Sequence, residues 1–492
     1  MAFNSFVYRA GYGHPKNEPQ GKAGRESSAG HAFRDAKAVP YLRSVNTIVA
    51  LSTPPGSGAL GILRLSGDQA LTLIQPFFPG IQSWTPRHAH FARFVVEGNV
   101  LDEVVAITFP GPNSYTGEDV VELSFHGSPF ILESALNALL AQGAQLAKAG
   151  EFTQRAFFNG KLDLSQAEAV GDLIASESAS AHRLAFRQMK GSISKRLQAL
   201  RQQLIDFAAL IELELDFVEE DVEFAQRPAL LTLLSELEGE IQKMLQTFKL
   251  GRAIKDGIPL VLAGAPNAGK STLLNRMLNE DRAIVTDIPG TTRDTIEEKF
   301  KLGDHVFRLI DTAGLHESDD TVERLGIQKS WEKIQEAQFI LHLIDPQTTA
   351  VSDAQGLQES LRSKATDAHI LTVLTKADQW TSDYGKYWPE ALCMGEGSSM
   401  DDLEARLNQG MVAAGWASHS EEVLIANARH AEALQAALHA LMKAHTGLEG
   451  ATSGELVAYD LREALQHLGS ITGEIVADDL LSSVFSRFCI GK

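Results

Sequence analysis

Cysteine is nearly missing from this chain, with Cys393 and Cys489 the two thiols in 492 positions. That excludes a disulfide framework and fits a reducing compartment, so a cytoplasmic location is expected. No apolar run reaches the roughly 18 residues of a membrane-spanning helix, and no membrane partner is expected. Positive charge is short as well: 44 Lys and Arg face 63 Asp and Glu, for a net charge of −19. Such a surface repels nucleic acid overall, so any RNA contact must be local or supplied by a partner. No Gly-x-Gly-x-x-Gly dinucleotide turn after a strand is evident. The length predicts about three domains, and 44% hydrophobic residues suffice to build their cores.

What is present begins with Gly264-Ala265-Pro266-Asn267-Ala268-Gly269-Lys270-Ser271, a phosphate-binding loop. Its glycines let successive backbone N–H groups curl around phosphates, Lys270 reaches the β and γ oxygens, and the Ser271 hydroxyl ligates Mg²⁺. The apolar run Ile258-Pro259-Leu260-Val261-Leu262-Ala263 reads as a buried strand before the loop, and 271–279 as a helix whose N-terminus faces the phosphates, so Ala268 and Thr272 join the site. By average residue usage this pattern alone arises in roughly one chain in fifty of this length. Order removes the chance reading. Thr286-Asp287-Ile288-Pro289-Gly290-Thr291-Thr292 supplies a loop with a threonine pair, one hydroxyl of which completes the Mg²⁺ shell. The strand 305–310 runs into Asp311-Thr312-Ala313-Gly314, an acid for the metal and a glycine N–H for the γ-phosphate. A strand at 370–374 then ends in Thr375-Lys376-Ala377-Asp378, whose Asp378 carboxylate accepts two hydrogen bonds from guanine and none from adenine. The nucleotide is therefore GTP.

Two departures stand out. Thr375 occupies a position usually held by Asn, and Ala391-Leu392-Cys393 replaces the usual Ser-Ala-Lys, so a weaker guanine site is expected. Leu315 also stands where Ras-like switches carry a water-orienting glutamine. Glu323 is the nearest carboxylate that could take over; from spacing alone it reads rather as a solvated residue in a helix's first turn. No arginine is assigned to the transition-state charge by sequence. Asn267, beside the β-phosphate, could instead help hold a monovalent ion.

Longer blocks carry a resemblance. Residues 47–67 (TIVALSTPPGSGALGILRLSG), 109–127 (FPGPNSYTGEDVVELSFHG), 149–164 (AGEFTQRAFFNGKLDL) and the terminal Phe488-Cys489-Ile490-Gly491-Lys492 resemble the MnmE (TrmE) family of tRNA modification GTPases, with the likeness covering about 44–492. The resemblance implies a K⁺-activated GTPase whose G domains meet across a homodimer. Asn267, Thr286, Ile288 and Thr291 would hold K⁺, Ser271 and Thr292 would hold Mg²⁺, and Glu323 would position the water. It further implies that Arg64, Glu122, Lys161 and Lys492 bind a tetrahydrofolate derivative as one-carbon donor. FAD would sit on the partner MnmG, in a heterotetramer. Together they would form 5-aminomethyl or 5-carboxymethylaminomethyl uridine at the tRNA wobble position. Cys489 would be a nucleophile or proton donor near the folate, or else a partly buried inert thiol.

The expected architecture is multidomain. Residues 1–43 form a polar extension with seven basic and three acidic residues, read as disordered or as an upstream start, with a targeting peptide as the alternative. Residues 44–161 read as an α+β folate-binding domain, from short β-like runs around one helical pattern at 129–142. Residues 162–256 and 418–492 read as two parts of an α-helical bundle, with Leu197, Leu200, Leu204, Ala208 and Ile211 in the first and Leu434, Leu438, Leu441, Leu461, Leu465 and Leu468 in the second. Residues 257–417 form a Ras-like α/β P-loop G domain inserted between them. Arg183, Arg187 and Lys190 share a helix face, either a solvated face or a contact for tRNA phosphates. Two other function classes remain: a regulatory GTPase of ribosome or RNA assembly without modification chemistry, and a folate-dependent transferase whose G domain is only a dimer clamp.

Overall fold

The computed structural model describes residues 46–216, 227–279, 298–310, 334–380, 382–413, 423–450 and 453–492. The polar extension lies outside them. Six strands, β1 (Ile48–Leu51), β2 (Leu60–Ser66), β3 (His90–Val96), β4 (Asn99–Phe109), β5 (Val120–His126) and β6 (Gln145–Leu146), form one sheet in the order β3-β4-β5-β2-β1-β6. Side chains alternate across such a sheet. Leu63, Leu65, Leu123 and Phe125 therefore turn to one face, where they pack with Leu132, Ala135 and Leu139 of the helix Pro129–Ala141. Arg64 and Glu122, directly opposed in register between β2 and β5, lie on the other face. The spacing Gly56-x-Gly58-x-x-Gly61 does follow β1, which corrects the sequence reading, but it opens onto β2 and not onto a helix. Without a helix N-terminus to receive a pyrophosphate it is no dinucleotide turn.

The helical patterns on both sides of the G domain share one core. Leu197, Leu200, Leu204, Ala208 and Ile211 of Ser192–Asp216 are buried with Leu234 and Leu237 of Arg227–Gln246, Leu434 and Leu441 of Ala428–Glu449, and Leu461, Leu465 and Leu468 of Gly454–Thr472. Burial of each Leu contributes roughly 1.5–3 kcal/mol, and a shared core makes the second half of the bundle a condition of the first. The chain leaves this bundle through the helix Phe248–Asp256 and re-enters it before Ala428, where Ile425 N donates to Thr247 Oγ1 at 3.0 Å.

Between these passages lies a second sheet, built from β7 (Ile258–Gly264), β8 (Lys299–Leu302), β9 (His305–Ile310), β10 (Phe339–Ile344), β11 (His369–Leu374) and β12 (Leu392–Cys393), in the order β12-β11-β10-β7-β9-β8. Only the β8–β9 pair is antiparallel. β7 is buried along its whole length because the sheet is covered on both faces: Leu260 and Leu262 meet Leu273 and Met277 on one side, while Val261 and Ala263 meet Leu361 on the other. A continuous apolar run is what such a position requires.

The β8–β9 turn docks on the helix Ala179–Met189. Ser180 N and Oγ both donate to Asp304 O, at 3.2 and 3.0 Å, and Arg183 Nη1 and Nη2 reach Asp304 Oδ2 at 3.1 Å. Of the basic stripe, Arg183 thus faces the G domain, and Lys190 lies over the Phe186 ring at 5.4 Å.

His342 sits buried in β10, its Nδ1 without a hydrogen-bond partner among the described residues, and burial pulls its pKa down to about 4. Below its ordinary value of 6.5 the unfolded chain takes a proton that the folded chain refuses. Stability from this residue is present above pH 6.5 and lost as the pH falls toward about 4, by up to on the order of 3 kcal/mol. The difference in G-domain unfolding midpoint between wild type and His342→Leu, followed across that window, should shrink in favour of the variant as pH falls. Parallel curves would remove the assignment.

Candidate functional site

Parallel strands present their carboxyl ends at one edge, and ligands bind where the strand order reverses, here beside β7. At that edge β7 ends in the phosphate loop, β10 in Asp345 and β11 in Thr375. Asn267 adopts φ +59°, a left-handed geometry that Asn tolerates better than most residues. The helix Lys270–Asn279 follows at once, and its first N–H groups have no carbonyl a turn earlier to bond. Ser271 and Thr272 are exposed in its first turn, and Ala268 is buried beneath. Lys270 Nζ donates to Gly264 O at 2.7 Å and Ala265 O at 3.0 Å. An ammonium carries three donors, so one remains for an anionic oxygen. Burial lowers the Lys270 pKa, which a phosphate dianion would offset.

Thr375 does more than its small size suggested. Its Oγ1 is buried, 2.9 Å from Ala268 O and 3.3 Å from Ile344 O, and Trp380 Nε1 donates to its carbonyl at 2.9 Å. The hydroxyl ties the phosphate loop to the base motif. Lys376, at φ +55°, is paired with the buried Asp345 carboxylate at 2.7 Å. Asp378 is exposed, and its Oδ1 accepts from Glu396 N at 3.0 Å; a carboxylate offers about four acceptor sites, so most of its capacity remains. Leu392-Cys393 pair with β11 as β12, and the segment that meets Asp378 is the following 394–398. A Cβ on Gly395 would stand 2.6 Å from Asp378 Oδ1 and 2.9 Å from its backbone nitrogen, so only glycine permits this approach. Sequence reasoning missed Asp345 and the 394–398 turn. A charged residue directly after β10, apolar apart from His342, was the available signal for the first.

Thr286, Asp287, Ile288, Pro289, Gly290, Thr291 and Thr292, together with Asp311, Thr312, Ala313, Gly314 and Glu323, lie outside the described residues. β9 is described to Ile310, which pairs with Val261, so the chain is delivered to the carboxyl edge beside the phosphate-loop strand.

A second constellation forms where the C-terminal tail meets the first sheet. Arg64 donates to Glu122 Oε1 from Nε at 2.9 Å and Nη2 at 2.8 Å, and from Nη1 to Gly491 O at 3.4 Å. Its guanidinium lies 5.5 Å from the Tyr115 ring centroid and 5.8 Å from that of Phe152. Burial and the nearby Arg64 pull the Lys492 pKa down, against opposing pulls from Glu122 and Cys489. Burial raises the Tyr115 pKa, although its hydrogen bond with Thr153 and the Arg64 charge oppose the rise. Arg64, Glu122 and Lys492 therefore come together across a very long stretch of sequence. Lys161 is exposed and donates to Pro112 O at 2.9 Å, on the loop that also carries Tyr115. Cys489 is exposed and not partly buried, and its carbonyl lies 3.4 Å from Gly150 N. Tyr115, Phe152 and the Gly491 carbonyl were not singled out from sequence, since Tyr115 stands alone in a loop, Phe152 in a short helix and Gly491 in the tail, where no periodic signal marks them.

The chain is similar to known proteins along most of its length. A family profile described as "MnmE helical domain" matches residues 164–489, and one described as "GTP-binding protein TrmE N-terminus" matches 47–161. The chain is 44% identical over 471 residues to the tRNA modification GTPase MnmE of Christiangramia forsetii, covering 91% of this chain and 99% of that protein. It is 44% identical over 457 residues to the same-named protein of Cytophaga hutchinsonii, covering 91% and 98%. A solved structure of Aquifex aeolicus Era aligns over 37% of this chain and 66% of that one, at 20% identity and a TM-score of 0.25.

Proposed function

This chain belongs to the MnmE family of tRNA modification GTPases, and from that premise we propose that it hydrolyses GTP in a K⁺-activated cycle coupled to modification of the tRNA wobble uridine. The reaction forms 5-aminomethyl or 5-carboxymethylaminomethyl uridine, with a tetrahydrofolate derivative as one-carbon donor and the FAD-dependent MnmG as partner in a heterotetramer. The observation that carries this reading is the presence of two unlike constellations in one chain, a phosphate loop with an Asp378 base motif and an Arg64–Glu122–Lys492 cluster lined by two aromatic rings.

The residues at the first suit GTP. Lys270 would hold the β and γ oxygens and Asp378 the base. Mg²⁺ commonly takes one or two protein ligands plus phosphate oxygens, which suits Ser271 with Thr292. Asp311 would add an acid near the Mg²⁺, and among the described residues no group of three or more His, Cys, Asp or Glu could hold a metal. Asn267, with Thr286, Ile288 and Thr291, would hold K⁺ where other GTPases use an arginine, and Glu323 would orient the water. At the second, the half-buried Tyr115 ring, a cation and a carboxylate suit a flat heterocycle with an acidic tail, while Phe152 is buried in the core beside Arg64. Lys161 and Lys492 would meet the tail, with Cys489 at its edge. The enzyme would act as a cytoplasmic homodimer that reaches tRNA through its partner or a local surface; among the described residues no helix is long and apolar enough to cross a membrane.

GTP turnover in K⁺ against Na⁺ at matched ionic strength tests the proposal. Stimulation of about tenfold or more, lost in Asn267→Ala, is expected, since about 1.4 kcal/mol of transition-state charge stabilisation corresponds to that factor. Equal rates in the two salts would overturn the K⁺ mechanism.

A further inference from the structure

The two halves of the guanine-nucleotide site come from distant stretches of chain, and one side chain spans them. Arg276 lies on the helix Lys270–Asn279, which begins at the phosphate loop. Its Nη1 donates to Gly395 O at 2.9 Å, and its Nη2 donates to Ser398 O. These carbonyls mark the two ends of a tight turn, closed inside by Gly395 N donating to Ser398 Oγ at 2.8 Å. From the middle of the same turn Glu396 N donates to Asp378 Oδ1 at 3.0 Å.

We propose that Arg276 is a positioning residue for guanine discrimination: it gathers the 395–398 turn so that the turn's backbone holds the Asp378 carboxylate in line for the base. A guanidinium suits this because its donors stand in a fixed fork, so that two carbonyls are fixed relative to each other as well as to the helix. Ala391 and Cys393 stand where a hydroxyl and an ammonium are usual, and the segment that meets Asp378 here does so through the Glu396 backbone N–H. The Thr375 hydroxyl on Ala268 O ties phosphate loop to base motif beneath the site, and Arg276 supplies a second tie from the helix.

The inference rests on reading Asp378 as the guanine acceptor, and one set of binding measurements separates the two. Dissociation constants for GDP, IDP and XDP are measured by competition against a fluorescent GDP analogue, on the full chain and on Arg276→Ala, Arg276→Lys and Asp378→Asn. IDP lacks the 2-amino group that Asp378 would bind, so wild type should prefer GDP over IDP by about tenfold or more, the effect of one charge-assisted hydrogen bond. Arg276→Ala should weaken GDP about fivefold or more and cut the GDP/IDP ratio to about threefold or less, with Arg276→Lys between. A residue that merely staples the fold would weaken GDP and IDP by the same factor, and that result, or no change, overturns the proposal. If Arg276→Ala does not fold, the ratio in Arg276→Lys decides in the same way. Asp378→Asn should prefer XDP to GDP; retention of its preference for GDP would instead overturn the reading of Asp378, whatever Arg276 does.

Discussion

GTP turnover by a Lys270→Ala variant should fall about a thousandfold or more, while its melting temperature stays level or rises. Both parts follow from the surroundings of Lys270. Its ammonium is half-buried, held by two carbonyls of its own loop, and burial lowers its pKa, so the folded chain carries a cost for keeping this charge. Removing the side chain relieves that cost. The phosphates, in contrast, lose their nearest cation. A unit charge pair at ~4 Å and an effective dielectric of ~20 is worth about 4 kcal/mol, and that corresponds to about a thousandfold in rate. Turnover within about tenfold of wild type, measured at saturating Mg²⁺ and K⁺, would mean that the loop is not the hydrolytic site. A large drop in melting temperature would mean that lost activity reflects unfolding.

Replacing Gly491 by Ala should weaken reduced-folate binding about tenfold or more, although the residue offers no side chain to any ligand. Gly491 has φ +98°, and an added Cβ would stand 2.3 Å from Leu51 O and 3.0 Å from Ser52 Cα. Backbone neighbours cannot yield as a side chain can, and a forced left-handed geometry adds about 1–3 kcal/mol. The tail must lift. With it go the Gly491 carbonyl that receives Arg64 Nη1 and Ser52 Oγ, and the placement of Lys492 beside Arg64 and Glu122. A loss of about 1.4 kcal/mol already gives the tenfold effect in a calorimetric titration. Unchanged affinity would show that the tail does not build this pocket and would remove Lys492 from it.

The phosphate loop was legible because its chemistry is local. Eight consecutive residues carry the glycines, the lysine and the hydroxyl, and the strand before them is apolar throughout because β7 is covered on both faces. The α+β character of the first domain was legible through the alternation in β2 and β5, whose buried face is set by period two alone. The bundle was legible for the same kind of reason, since Leu197, Leu200, Leu204 and Ala208 recur at the spacing of one helix face and all are buried in the shared core. Insertion of the G domain followed from the return of that spacing after it. The short strand β1 and the edge strand β3 escaped notice, one for its length and the other for its mixed exposure.

Other features depend on which surfaces meet, and no period in a sequence encodes that. Arg183 reads identically whether it faces solvent, RNA or Asp304; only docking of the β8–β9 turn on its helix brings Asp304 within reach of it. Thr375 reads only as a replacement for the usual Asn, and the tie of its hydroxyl to the phosphate loop belongs to the tertiary structure. Arg276 is an ordinary helix residue in the sequence, and its carbonyl acceptors lie more than a hundred positions away. The meeting of Arg64 with the Gly491 carbonyl spans 427 positions. By itself, then, the sequence determined the bundle helices, the phosphate-loop motif and the family to which the chain belongs, because local chemistry and the periodicity of burial are written in neighbouring residues. The tertiary structure alone decided how the base site is braced and how the tail completes the Arg64 cluster. Such contacts arise only when distant segments are brought within the few ångströms over which hydrogen bonds and close packing act.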